Sequence, residues 1–240
     1  SVSPVGMMSL VFANRAFVML AALYGVMTLA IAIITAGLPF AALYLVRDLG
    51  DTPLSGVAQA LTILSLMFAS FTVGSILSQA GWVYASAKLG KVGALVLGLC
   101  LYIVLLGGLY GVLPSVNVTV VAGMFVLAGM TNGSYQQIPW AMYPDLMDVT
   151  RRENGAAIEG AFSAIWLFGQ KLANAAAPAV LGLILARAGW QESTDGVAPQ
   201  TDAAIDTLLS AITLVPAGVL VAAILGLCLI YLPVLRKAHG

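Results

Sequence analysis

Long, almost uncharged stretches restrict the fold of this chain more than any other feature. A membrane-spanning helix needs about 20 mostly apolar residues. Six stretches meet that requirement: 17–46, 55–80, 92–113, 117–143, 157–188 and 207–235. Because they are continuous rather than alternating in hydropathy, they predict helices and not strands. We therefore expect an all-α, polytopic membrane protein in which residues 1–240 form a single bundle of six transmembrane helices.

Composition supports the same fold class. Charged residues are 8% of the sequence and hydrophobic residues 61%, with a mean hydropathy of +1.01, whereas an ordinary soluble domain has about 25% charged residues. The net charge is zero, so nothing indicates a nucleic-acid partner. The sequence has no Walker loop, zinc-protease motif or nucleophile elbow, and the two cysteines lie in apolar runs. We expect neither an enzyme nor a metal or cofactor site.

Basic residues predict the orientation of the bundle in the membrane. Seven Lys and Arg residues lie at one end of the predicted spans, and only Arg47 and Arg187 lie at the other. Cytoplasmic loops carry the excess of basic residues. We expect an integral protein of the plasma (inner) membrane with both termini in the cytoplasm. The seven residues are Arg15, Lys88, Lys91, Arg151, Arg152, Arg236 and Lys237.

Polar residues inside the spans indicate where a solute could pass. Residues three, four and seven apart share a face of a helix. In the fourth span Asn132, Gln136 and Trp140 fall on one such face, and in the first span Tyr24 and Thr28 do so. Small and hydroxyl-bearing residues in membrane helices also mediate packing. For Thr28, helix packing and cavity lining are equally good interpretations. For Gln136 and Trp140 we favour cavity lining.

Lys171 differs in kind because it is the one charge in the middle of a span. It lies about 21 Å from the inner end of the fifth span, too far for its side chain to reach an interface. A charge at that depth costs about 2.5–3.5 kcal/mol. Asn174 lies on the same face, and no span contains a carboxylate inside the membrane, because Glu159 lies at the very start of the fifth span. Lys171 must therefore pair with another subunit, another half or a substrate, or be held neutral by burial.

A charged segment separates the fourth and fifth spans at the basic end. It holds Asp145, Asp148, Arg151, Arg152 and Glu159. These residues could form an ion-pair network that acts as a cytoplasmic gate, holding two helix ends together and breaking when they separate. The alternative is a solvated loop, in which each exposed pair contributes under about 1 kcal/mol.

Two motifs in this region resemble the glycoside–pentoside–hexuronide:cation symporter family of the major facilitator superfamily, which includes melibiose permease. They are IPWAMYPDLMDV (138–149) and EGAFSAIWLFGQKL (159–172). NRAFVMLAALYG (14–25), WVYASAKLGK (82–91) and the last span are similar to other helices of its second half. The resemblance implies that Lys171 is the family's intramembrane lysine, near sugar and cation sites. It also implies that Asp145 and Asp148 are its cytoplasmic acids, although Val149 and Thr150 depart from the family's pattern.

The resemblance covers only the last six of the family's twelve helices. It therefore implies half of a secondary active transporter, driven by H⁺ or Na⁺. The half would carry a sugar or similar small polar solute by alternating access with a second six-helix half, on another polypeptide or missing from this chain. Two alternatives remain. IPWAMYPD is also similar to relatives that carry lysophospholipids, and the chain could be a non-transporting scaffold subunit.

Overall fold

The computed structural model describes residues 3–154, 158–193 and 197–238. These residues form helices joined by short turns, in agreement with the all-helical membrane protein that the sequence predicts. A π-helical turn, Leu227–Tyr231, lies between the last two helices. The helices are α1 (Pro4–Ala13), α2 (Arg15–Tyr44), α3 (Ser55–Leu61), α4 (Ile63–Val112), α5 (Val118–Asn154), α6 (Glu159–Arg187), α7 (Asp202–Ile212), α8 (Leu214–Gly226) and α9 (Leu232–Ala238).

Helix α4 folds back on itself at Gly90. A straight helix of 50 residues would be about 75 Å long, more than twice the thickness of a bilayer's hydrocarbon core. Gly90 has φ +75° and ψ 160°, which are not helical. A Cβ atom placed on Gly98 would lie 3.1 Å from the Trp82 ring, although a straight helix would separate the two residues by about 24 Å. The arms 63–89 and 91–112 are therefore neighbours.

Five helical segments of the described chain are long and apolar enough to span a membrane: Arg15–Tyr44, Ile63–Val112, Val118–Asn154, Glu159–Arg187 and Asp202–Arg236. One of them is the folded-back α4, whose arms correspond to the second and third predicted stretches.

Two predicted boundaries are wrong. The second stretch begins at Ile63 rather than 55, because the left-handed Thr62 (φ +79°) separates it from α3, and its helix continues to Leu89. Helix α5 continues to Asn154, so most of the predicted charged loop is helical. A helix can continue through charged residues once it has left the membrane, as α5 does here.

Helix α5 packs against the first arm of α4 with almost no space between the two backbones. A Cβ atom on Gly129 would lie 1.9 Å from the carbonyl oxygen of Phe71, and one on Gly74 would lie 1.9 Å from that of Val126. Gly98, on the second arm, meets the side chain of Ser134 in the same way. Small residues are the usual means of such close approach between membrane helices.

The rest of the bundle is built around α2. The ring centroids of Phe17 and Phe162 lie 4.4 Å apart where α2 meets α6, and both side chains are buried. Gly37 faces Ile212 and Gly226 faces Leu23, which brings α7 and α8 against the same helix. Helix α2 thus contacts elements from both ends of the chain.

A polar cluster closes the end of the bundle opposite the termini. The Asp48 carboxylate accepts hydrogen bonds from Ser55 Oγ (2.6 Å) and from the Gly50 amide (3.0 Å). These bonds lower the pKa of Asp48 from its ordinary value, since they favour the ionised form. Thr52 joins the cluster to Thr119 at the start of α5. The turn after α2 is therefore attached to α5.

Candidate functional site

A column of four aromatic rings crosses the centre of the bundle. Tyr143 stacks on Trp166 with 4.9 Å between ring centroids, Trp166 on Tyr24 with 4.2 Å, and Tyr24 on Tyr135 with 5.5 Å. The rings come from α2, α5 and α6. Because three helices contribute to one stack, their relative positions are set here by aromatic packing.

The Tyr24 hydroxyl connects this column to the bundle's surface. It accepts hydrogen bonds from Trp140 Nε1 (3.0 Å) on α5 and from Gln170 Nε2 (3.1 Å) on α6. The Tyr24 side chain is itself buried, while Trp140 is 38% exposed. Tyr24 is therefore a buried residue whose hydroxyl fixes the position of two side chains that lie nearer the surface.

The open face of the bundle carries four of the predicted pathway residues. Gln136, Trp140, Lys171 and Asn174 are all exposed. Gln136 and Trp140 lie one turn apart on α5, and Lys171 follows Gln170 on α6. The structure thus brings the Trp140 indole and the Gln170 amide from two helices to the Tyr24 hydroxyl, with Gln136 one turn from the indole and Lys171 next to Gln170 in the chain.

Lys171 lies near the middle of α6, about 18 Å from Glu159 at its start and about 24 Å from Arg187 at its end. Its side chain is exposed on the surface of the bundle. No ion pair or hydrogen bond joins it to another residue within the ranges 3–154, 158–193 and 197–238. The described part of the chain therefore leaves this mid-helix cation without a counter-charge.

The exposed surface of α6 divides into two edges. Phe168, Leu172 and Leu183 form a large, apolar edge, suited to lipid. The other edge is mostly small or polar, with one leucine, and faces the side of Gln170. Its exposed residues, spaced as one face of a helix requires, are Ala164, Leu167, Lys171, Asn174, Ala175, Pro178 and Gly182.

Thr28 and Asn132 do not lie on the open face, in contrast to their predicted place beside it. Thr28 is 2% exposed, and its hydroxyl lies 2.7 Å from that of Tyr135, so it joins α2 to α5. Asn132 is 1% exposed, and neither its amide nitrogen nor its oxygen has a partner among the described residues. Helical spacing put Asn132 with Gln136, but neighbouring parts of the bundle cover α5 at Asn132 and leave it exposed at Gln136.

The charged residues at the termini's end form separate pairs rather than one network. Arg151 and Glu159 are 3.1 Å apart and join α5 to α6. Asp145 pairs instead with Lys91, which also donates to the carbonyl oxygen of Ala141. Asp148 and Arg152 have no ion pair within the described ranges. One ion pair of the predicted gate is therefore present, between Arg151 and Glu159. Asp145 pairs with Lys91, which was not among the predicted gate residues.

Sequence reasoning missed several contributors to this region. Gln170 could have been found, since it is a polar residue next to Lys171 and one turn from Trp166. Tyr135 could not, because its partner Thr28 is 107 residues away and no local pattern connects them. The same holds for Lys91 and Asp145, which are 54 residues apart.

Chemically, this face carries groups that can bind a polar solute. An indole ring packs against apolar C–H groups, and glutamine and asparagine side chains both donate and accept hydrogen bonds. Among the described residues, no group of His, Cys, Asp and Glu could hold a metal ion. A helical membrane bundle with a polar, cationic patch at mid-depth is typical of the transporter class.

The chain belongs to the MFS/sugar transport protein family, whose sequence profile matches residues 1–233. It is therefore an integral membrane transporter of the major facilitator superfamily for sugars or similar solutes, and not an enzyme. A search of the curated proteins found no match.

Proposed function

We propose that this chain forms one bundle of a cation-coupled symporter of the glycoside–pentoside–hexuronide type. It would take up a sugar or similar small polar solute by alternating access with a second six-helix bundle. Transporters of this superfamily place the substrate near the bilayer midplane, between two bundles that rock against each other. The second bundle would be on the same polypeptide or on a separate one.

The observation that carries this proposal is the position of Lys171. A charge at mid-depth of a membrane is stable only next to a counter-charge, a polar group or water. Among the described residues Lys171 has no counter-charge, and its side chain lies on an exposed face of the bundle. A second bundle that supplied a carboxylate would neutralise it, and H⁺ or Na⁺ could then compete with the lysine for that carboxylate.

The small edge of α6 supports the same partner. Ala164, Ala175 and Gly182 would let another helix approach closely, whereas a helix that faces only lipid does not require small residues. The edge is continuous with Trp140 and Gln136 through Gln170. A second bundle seated on this edge would enclose the indole ring and the amides, and so form a cavity suited to a hydroxyl-rich solute.

We further propose that both termini are cytoplasmic, on the basis of the seven-to-two distribution of basic residues. A reporter active only in the cytoplasm, fused after the last helix, should be active, and one inserted after Arg47 should be inactive. The reverse pattern would contradict this orientation.

The function is tested by purifying the chain from its native membrane and reconstituting what is recovered into vesicles. We expect a second six-helix bundle, covalent or associated, and uptake of a radiolabelled sugar from a panel when a Na⁺ or H⁺ gradient is imposed. Collapsing the gradient with an ionophore should stop accumulation. Uptake of lysophospholipid instead would indicate a lipid transporter. Recovery of the chain as a stable monomer would contradict the two-bundle mechanism, and a partnered chain without uptake would indicate a scaffold.

A further inference from the structure

A cavity lies at the same end of the bundle as the chain's termini, away from the face that carries Lys171. Its volume is about 650 Å³, within the range of about 300–1,000 Å³ usual for small-molecule sites. Three elements enclose it: the turn of α4 at Gly90, the end of α5, and the last helical segment. Its walls are largely apolar and include Val92, Val96, Met142, Leu146 and Leu232.

Two irregular features of the backbone create this space. At the fold-back of α4, Gly90 and Gly93 contribute no side chains to fill it. Opposite them, the π-helical turn Leu227–Tyr231 brings Cys228 and Tyr231 to the wall. Wide turns of this kind inside a helix occur frequently at functional sites. The cavity is therefore formed by specific departures from regular helix on two sides.

One cation lines the cavity, and two more are next in sequence to lining residues. Lys91 lines it together with Asp145, its ion-pair partner. Lys88 precedes the lining residue Leu89, and Arg236 follows the lining residue Leu235; both cations are exposed. Since Asp145 is paired with Lys91, Lys88 and Arg236 have no carboxylate partner among the described residues, and the Lys88 ammonium lies 5.7 Å from the centroid of the Tyr84 ring. Leu89 is 55% exposed between the two lysines, so an apolar side chain lies next to cations at this rim, a combination that suits the membrane interface.

We infer that this cavity binds an anionic phospholipid, with an acyl chain against the apolar wall and the phosphate beside Lys88, Lys91 and Arg236. Basic pockets between membrane helices bind anionic headgroups in this manner. The cavity's apolar wall favours a lipid over free phosphate, and the two cations without a carboxylate partner favour an anionic lipid over a zwitterionic one. The inference does not depend on transport and concerns a site separate from the proposed solute pathway.

The two cysteines give a direct test. Cys228 lines the cavity, and Cys100 is exposed on the second arm of α4 outside it. The full chain with Cys100→Ser is reconstituted in phosphatidylcholine vesicles, with and without phosphatidylglycerol, and alkylation of Cys228 by N-ethylmaleimide is timed. We expect phosphatidylglycerol to slow the reaction about fivefold, as for a ligand at four times its dissociation constant. In the matched Cys228→Ser chain, alkylation of Cys100 should not change.

The substitutions Lys88→Gln and Arg236→Gln should abolish the protection of Cys228 while the protein still elutes as a folded species in size-exclusion chromatography. In a control chain with Arg47→Gln, a substitution at the opposite end of the bundle, phosphatidylglycerol should still protect Cys228. Equal slowing at Cys100 and Cys228 would overturn the inference, because it would indicate a general effect of surface charge. Protection by glycerol phosphate alone, or protection that survives the double substitution, would overturn it as well.

Discussion

Replacing Lys171 by methionine is expected to lower gradient-driven solute uptake by roughly 150- to 5,000-fold while the protein still inserts and folds. In the proposed two-bundle transporter the substitution would leave a buried carboxylate of the opposite bundle unpaired, which costs about 3–5 kcal/mol. Folding should be unaffected because Lys171 is exposed and has no ion pair or hydrogen bond within the described ranges. Initial uptake rates in vesicles, normalised to folded protein, measure the effect.

Arg187→Met is the matched control for this substitution. Arg187 is an exposed cation at the end of the same helix, so its removal should change uptake little. Lys171→Arg keeps the charge and should restore part of the activity. Wild-type uptake by the methionine variant would refute a role for Lys171 in coupling or binding. It would favour the scaffold interpretation if assembly also remained normal.

Replacing Gly129 by alanine is expected to produce the largest loss of stability among single-methyl changes in α5. The added Cβ would lie 1.9 Å from the Phe71 carbonyl oxygen and 2.8 Å from the Ser75 amide nitrogen. Both are backbone atoms, so α5 and the first arm of α4 would have to separate. Overpacking of this kind costs about 1–3 kcal/mol and occasionally more. We expect a lower midpoint of thermal unfolding, measured by size-exclusion chromatography of heated samples in detergent.

Gly123→Ala provides the comparison on the same helix. A Cβ atom there would meet nothing within 4 Å, so the substitution should leave the midpoint unchanged or raise it slightly through the better helix propensity of alanine. Equal unfolding temperatures for the two variants would contradict the close packing of Gly129 against Phe71. Gly74→Ala should behave like Gly129→Ala, because Gly74 faces Val126 in the same contact.

The sequence alone determined the fold class and the depth of Lys171. Hydropathy is a local property, and a run of about 20 apolar residues becomes a spanning helix wherever it occurs in the chain. The same local rule located Lys171 far from both ends of its span. It also placed Lys171 and Asn174 on one face of α6, where both are exposed.

Only the tertiary structure decided which polar residues meet. Spacing shows which residues share a face of a helix but not what packs against that face at each depth, so it could not tell that Asn132 is buried while Gln136 is exposed. The contacts of Tyr24 with Gln170 and of Lys91 with Asp145 join residues 146 and 54 positions apart. They exist because glycine contacts and ring stacking fix how the helices pack, and that packing depends on the whole bundle rather than on any one segment.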